Sequence, residues 1–363
     1  MDKIRIAIVG IGNCASSLIQ GIYAYRKNQF LPGLLFEKIG GYSIGDIEIV
    51  AAFDIDIRKV GKDVSEAIFQ CPNNTKIFFK DIPKIGVEVL KGPTLDGFSK
   101  HMMEFPEDIR FKESNKEDVT VKEVLEKTKP DLLINYLPVG SEKATKYYAD
   151  CCLEANVNFI NAIPVFICST EEYSKKFENK GLVCLGDDIK SQVGATAIHR
   201  TLVNLFEKRG IKLKRTYQLN FGGNTDFLNM LDKSRLLSKK ISKTQAVQSQ
   251  LKENLSSDNI HVGPSDFIPW LKDNKLCHIR MEGEQFGGTP LELDLKLSVE
   301  DSPNSAGVMV DVIRCAKLAI NNNLKGDIEQ VSSFAFKHPK MQITEEDSFK
   351  RIKKFIKDNE KKH

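Results

Sequence analysis

A chain of 363 residues with 41% hydrophobic content is long enough for two domains with ordinary buried cores. Its 53 basic and 49 acidic residues leave a net charge of only +4, which argues against a nucleic-acid protein, since that class concentrates an excess of Lys and Arg. No run approaches the ~18 apolar residues of a membrane span, and the first ten residues are too briefly apolar for a signal peptide, so a soluble cytoplasmic protein without a membrane partner is expected.

In chain order, IRIAIV (4–9) is an apolar run of strand length, followed at once by GIGNCASSLIQG, glycine-rich and then helical. Strand, GxGxxA and helix in that order form a dinucleotide-binding fingerprint on Gly10, Gly12 and Ala15, with Asn13 inside the turn. Glycine is required there because the backbone turns tightly and approaches a pyrophosphate held on the free N–H groups of the helix start. After an insertion over 26–46, IEIVAAFDID gives a second strand ending in Asp54, where a ribose-binding carboxylate is expected. A carboxylate there favours NAD over NADP. Asp63, opening the next helix, is a second acidic candidate for the adenosine half.

Strands and helices continue to alternate: GVEVL (86–90), helix VKEVLEKT (121–128), strand DLLINYLP (131–138), then a helix with Ser141 as N-cap. NVNFINAIP is another strand, TEEYSKKFENKG a helix and LVCLGD a last strand. This pattern predicts a Rossmann-type, doubly wound parallel sheet of the α/β class, with ligands beyond the carboxyl ends of its strands. Asp188, Lys190 and Ser191 are placed at the start of the following helix, and Thr128 and Tyr148 on helices beside the cofactor. Period-two alternation in RTYQLNFGG, on Tyr217, Leu219 and Phe221, and in TPLELDLKLSVED predicts a mainly antiparallel sheet with one covered face, in an inserted α+β domain. A long helix from Asp301 is expected to pack back on the first domain, and the tail is an amphipathic helix with Phe349, Ile352, Phe355 and Ile356 inward. The divisions are 1–190, 191–304 and 305–363. Eight scattered cysteines without CxxC read as buried free thiols.

Between the alternating strands lies GGNTDFLNMLDKSRLLSKKISKTQ (222–245), where Lys239 and Lys243 share a helix face. Like charges at that spacing repel, so either the helix bears a small cost or an anion sits between them; a solvated basic face gives the same pattern.

VGIGNCASSLIQG, AAFDID, KGPTLDG, NYLPVGSE, GDDIKSQVGAT, GGNTDFLNML, SKKISKTQAV and EDSPNSAGV together resemble the inositol-3-phosphate synthases of the shorter bacterial and archaeal type, from about residue 4 to residue 340. The resemblance implies an NAD-dependent isomerisation of D-glucose 6-phosphate to 1D-myo-inositol 3-phosphate, usually by a homotetramer, as the first step of inositol biosynthesis. It also implies active-site roles for Lys239, Lys243, Lys275, Lys337 and Asp301, and NAD contacts from Asp226, Ser191 and Lys239; Asp188 is expected beside the cofactor from its place beyond the carboxyl end of the last strand. A divalent metal ion stays open, because family members differ in its use. Two rivals share the fold signals: a dehydrogenase of another sugar or an amino acid that releases NADH, and a non-catalytic NAD sensor.

Overall fold

In the computed structural model, residues 2–27 and 32–360 are described, apart from the side chains of residues 236–240, 243, 264 and 265. Six parallel strands, β1 (Ile4–Val9), β2 (Ile47–Asp54), β3 (Val89–Lys91), β4 (Leu132–Asn135), β5 (Asn158–Asn161) and β6 (Cys184–Leu185), lie in the order β3-β2-β1-β4-β5-β6. Helices α1 (Asn13–Lys27), α2 (Val64–Ala67), α3 (Val121–Thr128), α4 (Glu142–Ala155) and α5 (Glu171–Asn179) connect them. The first strand is apolar throughout because both faces are covered: Ile4, Ile6 and Ile8 join one buried cluster, and Ala7 and Val9 the other.

After α6 (Ala195–Lys208), a second sheet is built from β7 (Lys212–Gly222), β8 (Ile260–Phe267), β9 (Asn274–Glu284) and β10 (Pro290–Glu300), in the order β10-β9-β7-β8, with α7 (Thr225–Asn229) and α8 (Leu237–Gln248) between β7 and β8. This sheet is mixed, since β7 pairs with β9 antiparallel and with β8 parallel. The chain closes with α9 (Asp301–Asn321), α10 (Glu329–Ala335) and α11 (Glu345–Glu360). α9 returns to the first sheet, where Val308, Met309, Val312 and Ile313 share a buried cluster with Ile19 and Ile22 of α1. Its buried Arg314 donates to the carbonyls of Phe36 and Glu37, fastening the insertion that follows α1.

The face of β7 inverts the expectation from alternation. Tyr217 is exposed, and Leu219 and Phe221 are only half-buried; the buried face carries Thr216, Gln218 and Asn220. Register explains it: Thr216, Gln218 and Asn220 stand opposite Met281, Ile279 and Cys277, the core residues of β9. Their polar groups are satisfied in place. His199 of α6 reaches Thr216 Oγ1 at 2.8 Å and Gln218 Oε1 at 3.2 Å, and Asn220 Nδ2 donates to the Gly263 carbonyl at 2.7 Å. A buried polar group with its partners costs little, so hydrogen bonding and register prevail over the apolar pattern. Burial of His199 in this network pulls its pKa down to about 4.

Other local expectations shift in the same way. Phe349 faces outward on α11, while Ile352, Phe355 and Ile356 are buried. Cys168, in the loop after β5, is joined to Cys184 of β6 as a disulfide, the two Cα atoms 5.5 Å apart, because parallel pairing of β5 with β6 brings that loop over the next strand. Cys71 is an exposed thiol and Cys14 only partly covered, so the reading of eight buried free thiols fails at these four positions.

Asp327, between α9 and α10, accepts the Ser332 hydroxyl, and burial pushes its carboxyl up to about 7. A raised carboxyl contributes stability that is full below its unfolded pKa of about 4 and is lost as pH rises through about 7. Asp327→Asn, which keeps an acceptor for Ser332, should therefore be more stable than the unsubstituted protein at pH 8, by on the order of 1 kcal/mol or more, with the gap closing at pH 4. Urea denaturation at both pH values measures this; an equal difference at the two would show that ionisation of Asp327 is not the cause.

Candidate active site

Beyond the carboxyl ends of β1, β4 and β5 lies an open cleft. The first sheet supplies Gly12, Asn13, Leu137 and Pro138 to its wall. The segment after β6 supplies Asp188, Lys190 and Ser191, and the second sheet and its helices supply Asn224, Thr225, Asp226 and Lys275. Asp301 and Lys337 complete it.

At the glycine turn, Gly10 has φ +89°, and a Cβ there would lie 2.5 Å from the Tyr136 carbonyl oxygen. At Gly12 a Cβ would meet nothing within 4 Å. The two fingerprint glycines thus serve different ends: Gly10 allows the strand to turn against its neighbour, and Gly12 keeps open the space at the start of α1 where an anion meets free N–H groups. Between them, the Ile11 N–H donates to Asp54 Oδ2 at 2.7 Å, and the Ile11 carbonyl accepts from the buried Lys59 Nζ at 2.9 Å and from Asn73 Nδ2 at 3.0 Å. Asp54 also takes the N–H groups of Ile55 and Asp56, so its carboxylate is engaged in shaping the turn.

Five residues read from the sequence as cofactor contacts are not in the cleft wall: Gly10 and Asp54, which shape the turn, and Asp63, Thr128 and Tyr148. Asp63 caps α2 through Ser65 N and takes Ile85 N and Gly86 N at 3.1 and 2.7 Å, which occupies both its oxygens. Thr128 ends α3 and gives its carbonyl to Arg5, at the amino-terminal end of β1, opposite the edge where ligands bind. Tyr148 is a core side chain against Phe53, with its hydroxyl over Gly92.

Across the cleft wall, Lys275 Nζ of β9 pairs with Asp301 Oδ1 at 2.8 Å. Burial draws the Lys275 ammonium down, but the Asp301 carboxylate outweighs it, and the net shift is upward, so the group stays charged. Lys337 Nζ donates to Asp188 Oδ1 and to the Ile189 carbonyl, both at 2.7 Å. Asp188 to Lys190 do not open α6 as the sequence suggests. They precede it: Asp188 sits at φ 64° in a bend, Ile189 is bridged antiparallel to Phe336, and Lys337 N donates to the Asp188 carbonyl at 2.7 Å. This pairing carries Lys337 into the cleft.

Lys239 and Lys243 both fall on α8, one turn apart, and their side chains lie outside the described residues. What holds the helix is clear. Ser242, between the two and buried, donates to Asp188 Oδ2 at 2.8 Å, and the buried Arg200 of α6 donates to the Ala246 carbonyl at 2.8 Å. Arg200 also pairs with Glu345 at the start of α11, and the same carboxylate takes Lys190 Nζ at 2.9 Å. Burial pulls the Lys190 ammonium down to about 8, with Glu345 opposing.

Two features of the cleft escape sequence reasoning. One is Lys190, a wall residue rather than a helix-start residue. The other is Asp273, fully buried beneath the wall, whose partners lie in segments remote from it in the chain. The only local signal for Asp273 is its spacing of two from Lys275, which puts both on one side of the strand entrance. Among the described residues no group of three or more His, Cys, Asp or Glu side chains comes together as a metal site would require.

A family model described as myo-inositol-1-phosphate synthase matches residues 194–302, the stretch from α6 to the start of α9. The inositol-3-phosphate synthase of Mycolicibacterium smegmatis is 51% identical over 361 residues, covering 98% of each chain. That of Corynebacterium glutamicum is 48% identical over 363 residues, again covering 98% of each. Among solved structures, the crystal structure of Ari2 is similar at a TM-score of 0.79 and 32% identity, over 99% of this chain and 100% of the other. With half its residues identical to a relative along almost its whole length, the chain belongs to the inositol-3-phosphate synthase family.

Proposed function

We propose that this chain converts D-glucose 6-phosphate to 1D-myo-inositol 3-phosphate with NAD as a recycled cofactor. The observation that carries the reading is the meeting, in one cleft, of the open glycine turn at Gly12 with the ammonium groups of Lys275 and Lys337. The turn fits a dinucleotide, since the space a Cβ at Gly12 would fill is free and α1 starts there. NAD, when bound, supplies the acceptor for a hydride from C5 of the open-chain sugar and gives the same hydride back at the end.

The chain's own groups handle charge on oxygen. Loss of the hydride and the hydroxyl proton makes a ketone at C5, which acidifies C6; the C6 proton is taken by the substrate's own phosphate. The C6 carbon then attacks the C1 aldehyde and closes the ring. Lys337, with Lys239 at the nicotinamide end, stabilises the charge that grows on the C5 oxygen, and Lys275 the charge on the C1 oxygen during closure. Fixed donors of this kind are each worth on the order of 3 kcal/mol in a water-excluded site. Asp301 holds Lys275 in place and, with Lys243, orients the substrate; Asp188 does the same for Lys337. Asp226 and Ser191 are assigned to the cofactor side of the wall. A homotetramer in the cytoplasm, with the second sheet's open side as contact, completes the reading, and Phe286, wholly in solvent at the β9–β10 turn, supports such a contact.

Incubation with glucose 6-phosphate and NAD, following inositol phosphate and NADH together, tests the reading. Inositol phosphate without accumulating NADH is expected. Net NADH with no inositol phosphate would instead mark a dehydrogenase, and neither product a cofactor sensor.

A further inference from the structure

We propose that Asp273 is a positioning residue for this reaction: it locks the cofactor turn to the strand bearing Lys275, and so keeps the oxidised sugar and the reduced cofactor together until the hydride is returned. The proposal deepens the functional reading above and rests on it.

Asp273 lies at the entrance to β9, two residues before Lys275, and is 1% exposed. Five donors from four separate segments converge on its carboxylate. Asn13 Nδ2, from the fingerprint turn, reaches Oδ1 at 3.1 Å, and Asn224 Nδ2 reaches the same oxygen at 3.0 Å. Thr75 Oγ1 donates to Oδ2 at 2.7 Å, while Ser302 donates through Oγ at 2.9 Å and N at 3.2 Å. A carboxylate is the side chain with enough acceptor sites for such a set.

Each donor is itself tied to the cleft. Asn13 Oδ1 accepts the N–H groups of Asn74 and Thr75, so the 74–75 segment grips the fingerprint, and Asn74 Nδ2 continues to the Gly223 carbonyl at 3.0 Å. Asn224 caps α7 through the N–H groups of Asp226 and Phe227. Ser302 follows Asp301, whose N–H donates to the Asp273 carbonyl at 3.0 Å. The cofactor turn, the Asp226 turn, Lys275 and Asp301 therefore share one buried joint. A network whose members are all satisfied is stiff, and losing one partner leaves several buried donors without an acceptor.

Stiffness matters to this chemistry in a particular way. Hydride and proton loss from the C5 carbinol yields a ketone, NADH and one proton, and the net reaction is redox-neutral only if that NADH stays until the ring has closed. A loosened joint predicts escape: NADH and the 5-keto sugar phosphate leave in equal amounts.

The test compares the unsubstituted protein with Asp273→Asn, Asp273→Ala and Thr75→Val. Four quantities are read: inositol phosphate formed, NADH released, NAD affinity by fluorescence titration, and the thermal unfolding midpoint. Asp273→Asn retains the Oδ1 acceptor and should lose about tenfold in kcat, and Asp273→Ala about 100-fold, the scale of a 1 Å misplacement. Both should release NADH that the unsubstituted protein retains and bind NAD about tenfold more weakly. Thr75→Val removes one donor outside the cleft wall and should show the same leak, smaller, with a near-normal midpoint; if Asp273→Ala does not fold, this variant and Asp273→Asn decide. Folded variants that lose kcat without releasing NADH and bind NAD normally would overturn the positioning role, as would variants with normal kcat. Absence of inositol phosphate with the unsubstituted protein would overturn the functional reading itself, a result distinct from either.

Discussion

Lys337→Ala should reduce kcat by about 10²- to 10³-fold while NAD affinity stays within about twofold, because the ammonium serves a developing oxyanion on the substrate and not the cofactor phosphates. The geometry makes this a demanding prediction. Lys337 pairs with Asp188 at 2.7 Å, and Asp188 is 3% exposed, so removing the lysine leaves a buried carboxylate with the Ser242 hydroxyl among its remaining partners. Breaking a buried pair from one side costs about 3 kcal/mol or more, so the thermal midpoint should fall as well. Turnover must therefore be measured at a temperature where the variant is folded, alongside NAD titration by fluorescence. Near-normal kcat in the folded variant would remove Lys337 from the chemistry, and a large loss of NAD affinity would make it a cofactor residue instead.

Alanine at the two fingerprint glycines should separate fold from cofactor. Gly10→Ala forces a side chain onto φ +89° and puts its Cβ 2.5 Å from a backbone oxygen, which cannot yield as a side chain could. Destabilisation on the order of 3 kcal/mol is expected, with poor recovery of folded protein. Gly12→Ala meets nothing within 4 Å, so it should fold with an unchanged midpoint. Its methyl group would occupy the space over the start of α1 and should weaken NAD at least tenfold. Titration and thermal melts on both proteins check this; strong NAD binding by Gly12→Ala would mean the pyrophosphate does not approach that turn.

Much of the cleft was legible because it rests on local chemistry. A strand, a glycine turn and a helix are neighbours in sequence as in space, so Gly10, Gly12 and Asn13 could be read directly. Lys275, Asp301 and Lys337 entered through the family resemblance, and the structure brings them to one wall with Gly12. Thr128 and Tyr148 were placed on helices beside the cofactor and Asp63 was read as a second acidic residue at a helix start; the structure uses Asp63 to cap α2, ties Thr128 to Arg5 at the amino end of β1 and buries Tyr148 against Phe53. β7 shows the complementary limit, since its apolar alternation pointed Tyr217 inward while pairing with Met281 and Ile279 turned Thr216 and Gln218 there.

The sequence by itself determined the alternation of strands and helices and the dinucleotide turn. These follow from backbone periodicity and from where glycine alone is tolerated, both local properties. Only the tertiary structure decided that Asp188 would clasp Lys337, that Lys190 and Arg200 would share Glu345, and that Asp273 would gather Asn13, Thr75, Asn224 and Ser302. Such bonds join residues remote in the chain, and a buried polar side chain reveals its partner only when the packed elements have brought the two within hydrogen-bonding reach.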